Sequence, residues 1–280
     1  MSSVLLWICV ILCAAVALMC TWTWTWPLQF TCPDKPAAGE VQVVVARYAE
    51  DISWLQQLPF DDIVVYNKGP TLDGASLPWN VTRVIELPNV GRCDHTYIFH
   101  CHSQYDTLAP VTLFIPASVP SSLFKRAMLD RVVTALCRRR DSVFPCWPLS
   151  RPVHIEEADF ELSQYKSSSW DNAAVNTETD LLPSPERPFS VWYEKQFSGA
   201  AVCRSCRLGI FAVHRRHCLR RSRAFYAHLL TYLDTHSNPE AGHYVERSWA
   251  AIFKDLPEDA YLWPRWTAPL WDFLREVVVI

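Results

Sequence analysis

The chain has 280 residues, a formal net charge of −3 and a hydrophobic content of 50%. That is enough apolar material for a real core, and the near-neutral balance argues against a nucleic-acid binder that relies on a broad basic field. Glycine is scarce at 7, and neither G-x-G-x-x-G nor a Walker A sequence occurs, which argues against the classical dinucleotide and P-loop phosphate cradles.

The chain opens on a charge-free run. Val4 to Thr21, about 18 residues, is long enough to cross a bilayer as a helix. Trp22, Trp24 and Trp26 follow, where an indole suits the half-wet headgroup zone. The expectation is a single-pass signal-anchor over residues 1–26, touching lipid through residues 4–21 and placing the rest in the endoplasmic reticulum or Golgi lumen. A cleaved signal peptide is the alternative. However, Met1-Ser2-Ser3 has no base, although Ala14, Ala15 and Ala17 come close to a small-residue cleavage pattern before Leu18-Met19-Cys20.

Residues 27–40 read as a proline-containing stem. Val41–Ala46 is short, β-branched and apolar, and predicts a buried strand. Glu50–Leu55 predicts a helix start, with acids placed to suit the dipole. Asp62–Tyr66 predicts a second buried strand, stopped by Asn67-Lys68-Gly69-Pro70, and Val81–Leu87 a third. Arg92–Leu108 predicts a helix, Val111–Ile115 a strand and Ser121–Arg140 a helix with a basic end. Residues 141–188 lack a pattern and read as an irregular insert. Order resumes at Phe189–Lys195. A strand is expected over Leu208–Val213, and helices over Ser222–His236 and Pro239–Phe253. A Trp-rich tail fills 258–280. Strands alternating with helices predict one α/β domain over 41–257, Rossmann-like with a mainly parallel sheet. Ligands bind such sheets at the carboxyl ends of the strands. Here those ends carry Arg47, Glu50, Asp51, Asn67 and Lys68.

Of 11 cysteines, Cys9, Cys13 and Cys20 lie in the apolar run, and the other eight suit disulfides in an oxidising lumen. Cys203 and Cys206, with His214, His217 and Cys218, do not have zinc-finger spacing. Among His95, His100 and His102, only His95 and His102 share a helix face, so His100 and His102 read as structural. Asn80-Val81-Thr82 is a glycosylation sequon in a turn-rich stretch.

Five blocks stand in order: Val44–Leu55, Tyr66–Gly69, Asn89–Tyr97, Gly209–Val213 and Gly242–Trp249. Together they resemble domain of unknown function 3431 (DUF3431), over about residues 41–255. The family's layout looks similar to GT-A-type glycosyltransferases, which pair a nucleotide-sugar half with an acceptor half. This chain departs from the family pattern at Ala49, usually Asn, and at Cys93, where an acid is common. It also departs over Phe114–Ser118, which replaces a block with Gln and Gly. It has no Asp-x-Asp triplet, the motif by which metal-dependent members of that type hold a divalent cation, so the cofactor stays unassigned.

The resemblance implies a membrane-anchored glycosyltransferase moving a sugar from a nucleotide-sugar to a glycan, protein or lipid acceptor. Glu246 would take the acceptor proton, with His243 beside it on the helix face. Arg47, Lys68 and Arg92 would neutralise the diphosphate, with His95 and Arg247 from the family blocks near the substrate. The alternative is a catalytically inactive membrane glycoprotein using the same fold for binding or display. For the cations, an ion-pair network with Glu50, Asp51 and Asp94 is an equal reading. No G-x-S-x-G elbow supports a hydrolase.

Overall fold

The computed structural model describes residues 30, 32–162 and 181–262. The expected anchor, the middle of the insert and most of the tail lie outside these residues. Among the described residues, no helix is long and apolar enough to cross a membrane.

The elements follow in chain order: β1 (Val41–Arg47), β2 (Asp62–Asn67), β3 (Val81–Glu86), α1 (Arg92–Ser103), β4 (Val111–Pro116), α2 (Leu123–Arg139), β5 (Phe144–Pro145), β6 (Trp147–Pro148), α3 (Val153–Glu156), α4 (Phe189–Phe197), β7 (Arg204–Ser205), β8 (Phe211–His214), α5 (Arg215–Cys218), α6 (Arg223–Leu230), α7 (Glu240–Arg247), α8 (Trp249–Ile252) and β9 (Tyr261–Leu262). The central sheet runs β3-β2-β1-β4-β8. Its first four strands are parallel, and β8 is antiparallel to β4.

The reason for a parallel core is visible in β1, β2 and β4. Each is an apolar run buried on both faces, as strands covered by helices on two sides must be. Alternate residues feed two separate cores. Val44, Val64 and Phe114 point toward α1, where they meet Tyr97, Ile98 and Cys101, and toward the later aromatic helices. Val43, Ile63, Leu113 and Ile115 point toward α2, where they meet Leu129, Val132, Val133 and Leu136. At the edge, β3 is only partly buried and leaves Thr82, Arg83 and Glu86 exposed. Charged side chains on an edge discourage further pairing.

Two disulfides reinforce this frame. Cys32–Cys137 ties the stem to the end of α2, and Cys146–Cys206 ties the β5–β6 region to the segment after β7. Their chain separations of 105 and 60 residues close long loops. In the chain-entropy picture each restricts the unfolded state by about 4–5 kcal/mol. Cys206 is therefore not a zinc ligand.

Several local expectations need correction. The segment after β1 is a 3₁₀ turn at Ser53–Gln57: Asp51 Oδ1 accepts from the Ser53 N–H at 3.0 Å, and Leu58 ends the turn in extended backbone. The helix from Arg92 stops at Ser103, five residues early. The strand expected from Leu208 begins at Phe211, because Leu208 and Gly209 both have left-handed backbone (φ +83° and +64°). The helix expected over Pro239–Phe253 is two, broken at Ser248, whose hydroxyl donates to the Tyr244 carbonyl at 2.8 Å. The insert is partly structured, holding β5, β6 and α3. The tail's first residues form β9, which pairs in parallel with β5.

Candidate functional site

The carboxyl edge of the sheet holds two polar networks. The first joins the ends of β1, β2 and β3. Arg47 and Asn67 are paired in register, and Arg47 Nη1 donates to Asn67 Oδ1 at 2.6 Å. The same guanidinium donates to the carbonyls of Glu50 (2.9 Å), Tyr48 (3.0 Å) and Pro70 (3.0 Å). Asn67 Nδ2 then donates to both Glu86 carboxylate oxygens, at 3.1 and 2.9 Å. Glu50 is buried and accepts from the backbone N–H groups of Tyr48 (2.7 Å) and Ala49 (3.1 Å). Arg47, Asn67 and Glu50 are turned inward onto the loops they organise, while Glu86 closes the network from the exposed edge strand. Asp51 is exposed and bonded to Ser53.

The second network begins at the turn between β3 and α1. Gly91 and Arg92 both have left-handed backbone, with φ of +58° and +54°. A Cβ on Gly91 would stand 2.5 Å from the Leu233 carbonyl oxygen, so only glycine fits there. A left-handed arginine is uncommon and is held by its surroundings. Lys68 does the holding: its buried ammonium donates to the carbonyls of Val90 (2.5 Å) and Arg92. Burial pushes the Lys68 pKa down to about 7, against the pull of Cys93 and Asp94. The backbone N–H groups of Gly91 and Arg92 bond the carbonyls of His236 (2.7 Å) and Ser237 (3.2 Å), which lie just before α7.

This turn delivers the Arg92 side chain to α7. Its Nη1 lies 2.8 Å from His243 Nδ1, across 151 residues of sequence. A guanidinium has only donors, so Nδ1 accepts and the neutral ring's proton sits on Nε2. Burial, helped by Arg92 and Arg247, holds His243 well below the usual histidine range. The Arg92 Nη2 lies 3.8 Å from Glu246 Oε2. Glu246 Oε1 accepts from the Leu208 N–H at 2.9 Å, which fixes the left-handed turn before β8. Burial opposes ionisation of Glu246, but Arg92 and Arg247 outweigh it and hold the carboxyl below its ordinary value. Its side chain stays 16% exposed, so one edge remains reachable.

Asp94 lies beneath this cluster and is fully buried. Its Oδ1 has no hydrogen-bond partner, and its Oδ2 is 3.9 Å from the Cys93 thiol. Burial raises the Asp94 pKa, and Glu246 adds to the rise, while Arg92 and Lys68 oppose it. Desolvation of this kind disfavours the charged carboxylate. On the far side, Arg247 Nε bonds Glu157 at 2.7 Å, and Arg207 bonds the same carboxylate at 2.9 Å. The Arg247 guanidinium also sits 3.4 Å from the centroid of Phe160.

Of the residues selected from sequence, Arg92, His243, Glu246 and Arg247 come together, with Lys68 supporting them from behind. Arg47, Glu50 and Asn67 belong to the other network. Two selections need correction. His95 is buried, stacked on Phe99 at 5.8 Å and held neutral by burial, with a pKa near 3, so it belongs to the core. Asn80 is 1% exposed, and its amide nitrogen donates to the carbonyls of Leu55 (2.8 Å) and Phe60 (3.2 Å). The atom that would carry a glycan is thus committed to the fold. Sequence reasoning did not select Glu86, Glu157 or Arg207, and placed Asp94 only in an ion-pair role. Glu157 fell in the segment read as an irregular insert.

A divalent cation does not fit this site. Among the described residues, no group of three or more His, Cys, Asp or Glu side chains is arranged to hold one. The carboxylates here already face arginines. A cavity of about 360 Å³ lies elsewhere, lined by Leu182, Ser184, Glu186, Tyr232, Thr235 and Pro239 among others, and shares none of the site residues. Comparison with known proteins finds no match: no family model, no curated protein and no solved structure aligns with the chain. The functional reading therefore rests on the site's chemistry and on the resemblance of the five blocks.

Proposed function

We propose that the chain is a membrane-anchored, GT-A-like protein of the secretory lumen that transfers a sugar from a nucleotide-sugar to a glycan, protein or lipid acceptor. The observation that carries this reading is the meeting of Arg92 with Glu246 at the carboxyl edge of a parallel sheet. In this reading Arg92 serves the donor diphosphate and Glu246 the acceptor hydroxyl. The two roles are coupled. While Arg92 faces Glu246, it keeps that carboxylate a weak base. A diphosphate engaging Arg92 would loosen the pair and raise the proton affinity of Glu246, strengthening the base when the donor is in place. His243 then orients Arg92 through Nδ1 and is not itself the base.

The test is sugar transfer by the lumenal face of the full chain, with Glu246→Gln beside it. Glutamine keeps an acceptor for the Leu208 N–H but removes the base. Turnover should fall about 10²–10⁴-fold with folding intact. Transfer at the wild-type rate by a folded variant would end the catalytic role.

A second reading has its own support. Arg47 and Lys68, two of the three cations expected for the diphosphate, are committed to protein carbonyls. That favours a non-catalytic membrane protein using the fold for binding or display. The two readings separate on donor binding, since only the first requires it.

A further inference from the structure

The end of the sheet opposite the Arg92–Glu246 site is tied to the start of the chain. Cys32 is bridged to Cys137 in the last turn of α2. Just past that turn, Arg140 pairs with Asp34 at 2.9 Å and with Glu40 at 3.7 Å, and Glu40 directly precedes β1. The bridge therefore lies at the amino ends of the parallel strands. Phe30 packs against the core that α2 covers. From Trp26 to Phe30 the chain spans at most about 13–14 Å, even fully extended. An anchor over Val4–Thr21, with its tryptophans at the headgroups, thus holds this end of the domain close to the lipid. The surface there suits that neighbour. Trp79, just before β3, is 67% exposed, and Leu219, just past α5, is 43% exposed. Because β8 is antiparallel and ends opposite Val111, α5 starts at this same end. Arg138 in the last turn of α2 and Arg215 at the start of α5 are exposed. Their neighbours Arg140 and Arg216 pair with Asp34 and Asp141, whereas among the described residues Arg138 and Arg215 have no ion pair. Trp79 and Arg215 adjoin β3 and β8, the outer strands, four strand spacings or about 19 Å apart, with the tether between them.

We propose that the amino end of the sheet is a bilayer-docking surface, with Trp79 and Leu219 in the headgroup layer and Arg138 and Arg215 on phospholipid phosphates. This rests on the membrane-anchored reading above. An indole suits a layer that is half dry and half wet, and the arginine fork matches a phosphate group. The tether supplies the third fixed point, so the domain has one face for the lipid and does not tumble on its stem. The Arg92–Glu246 site then opens away from the bilayer. It lies at the far ends of β2 and β4, six residues each, or about 20 Å from the docking surface. An acceptor reaches it from the aqueous side.

The test uses the full chain in phosphatidylcholine nanodiscs, with the photocrosslinker p-benzoylphenylalanine in place of Trp79, Leu219 or Thr71. Thr71 is exposed beside Pro70, whose carbonyl accepts from Arg47, and so reports on the opposite end of the sheet. The expected result on irradiation is an adduct of phospholipid mass at positions 79 and 219, and several-fold less at 71. Arg138→Glu combined with Arg215→Glu should lower the yield at 79 and 219 several-fold, while the chain still resists extraction by alkaline carbonate. In a carbonate-resistant chain, adducts at 71 as strong as at 79 and 219, or none at 79 and 219, would overturn the docking surface and leave the anchor standing. Release of the intact chain by carbonate would end both. If the double variant does not fold, the three crosslinker chains still decide.

Discussion

The two polar networks at the carboxyl edge use similar residues for different ends. Around Arg47, a guanidinium, an amide and two carboxylates are bound mainly to backbone and to each other, and they fix the loops after β1 and β2. Around Arg92, a backbone-held turn projects an arginine onto a histidine and a carboxylate from a distant helix, above a buried carboxyl with an unpartnered oxygen. The first network is closed and satisfied. The second keeps a partly exposed edge and a charge set that a ligand can rearrange. Charged residues at the strand ends are thus not enough to mark a site, and what distinguishes a site is which groups keep capacity to bond something else.

Substitutions should divide along this line. The largest effect expected is on turnover, from Glu246→Gln, about 10²–10⁴-fold with an unchanged unfolding midpoint. An Arg47→Ala chain should instead lose stability, by about 2–4 kcal/mol in urea unfolding, because it leaves the Asn67 amide oxygen and the Tyr48 and Glu50 carbonyls without their donor. If Arg47→Ala folded as well as wild type, the closed-network description would be wrong.

Lys68 gives a pH signature. Its folded pKa lies near 7 and its unfolded value near 10.5, so between those values the unfolded chain binds more protons. Its contribution should therefore make stability rise from about pH 7 to pH 10, by a few kcal/mol at most, and add no further slope below pH 7. Lys68→Met should flatten that rise in unfolding curves measured across the range. A variant with an unchanged slope would assign it to other groups.

The smallest expected effect concerns Asn80. Treatment with an endoglycosidase that removes N-linked glycans should leave the mobility of the full chain, expressed through a secretory route, unchanged. Asn80→Ala should cost about 1–3 kcal/mol of stability through the two carbonyls it leaves bare. A mobility shift on treatment would contradict the buried placement.

The parallel core was legible because Val41–Ala46, Asp62–Tyr66 and Val111–Ile115 are apolar without alternation, a pattern that suits strands covered on both faces. The antiparallel direction of β8 was not, since strand direction leaves no mark in so short a run. Helix periodicity continued through Ser248, but the break depends on a hydroxyl bond to the preceding turn that periodicity does not register. Arg92, His243 and Glu246 could be selected from their blocks, yet their meeting depends on two left-handed residues and on Lys68 bonding the turn. The sequon at Asn80 looked exposed because the triplet carries no information on burial. Arg47 looked available because a sequence shows the charge and not the carbonyls around it.

The most direct measurement is thermal stabilisation of the full chain by nucleoside diphosphates, compared among wild type, Arg92→Gln and Arg47→Gln, each against its own ligand-free midpoint. Ligand at about 100 times its dissociation constant adds about 2.7 kcal/mol, a shift of about 5–10 °C for a domain of this size. That shift is expected in wild type and Arg47→Gln, and its loss in Arg92→Gln. Stabilisation that survives in Arg92→Gln but disappears in Arg47→Gln would place the ligand on the Arg47 network and contradict the role of Arg92 as the diphosphate's partner.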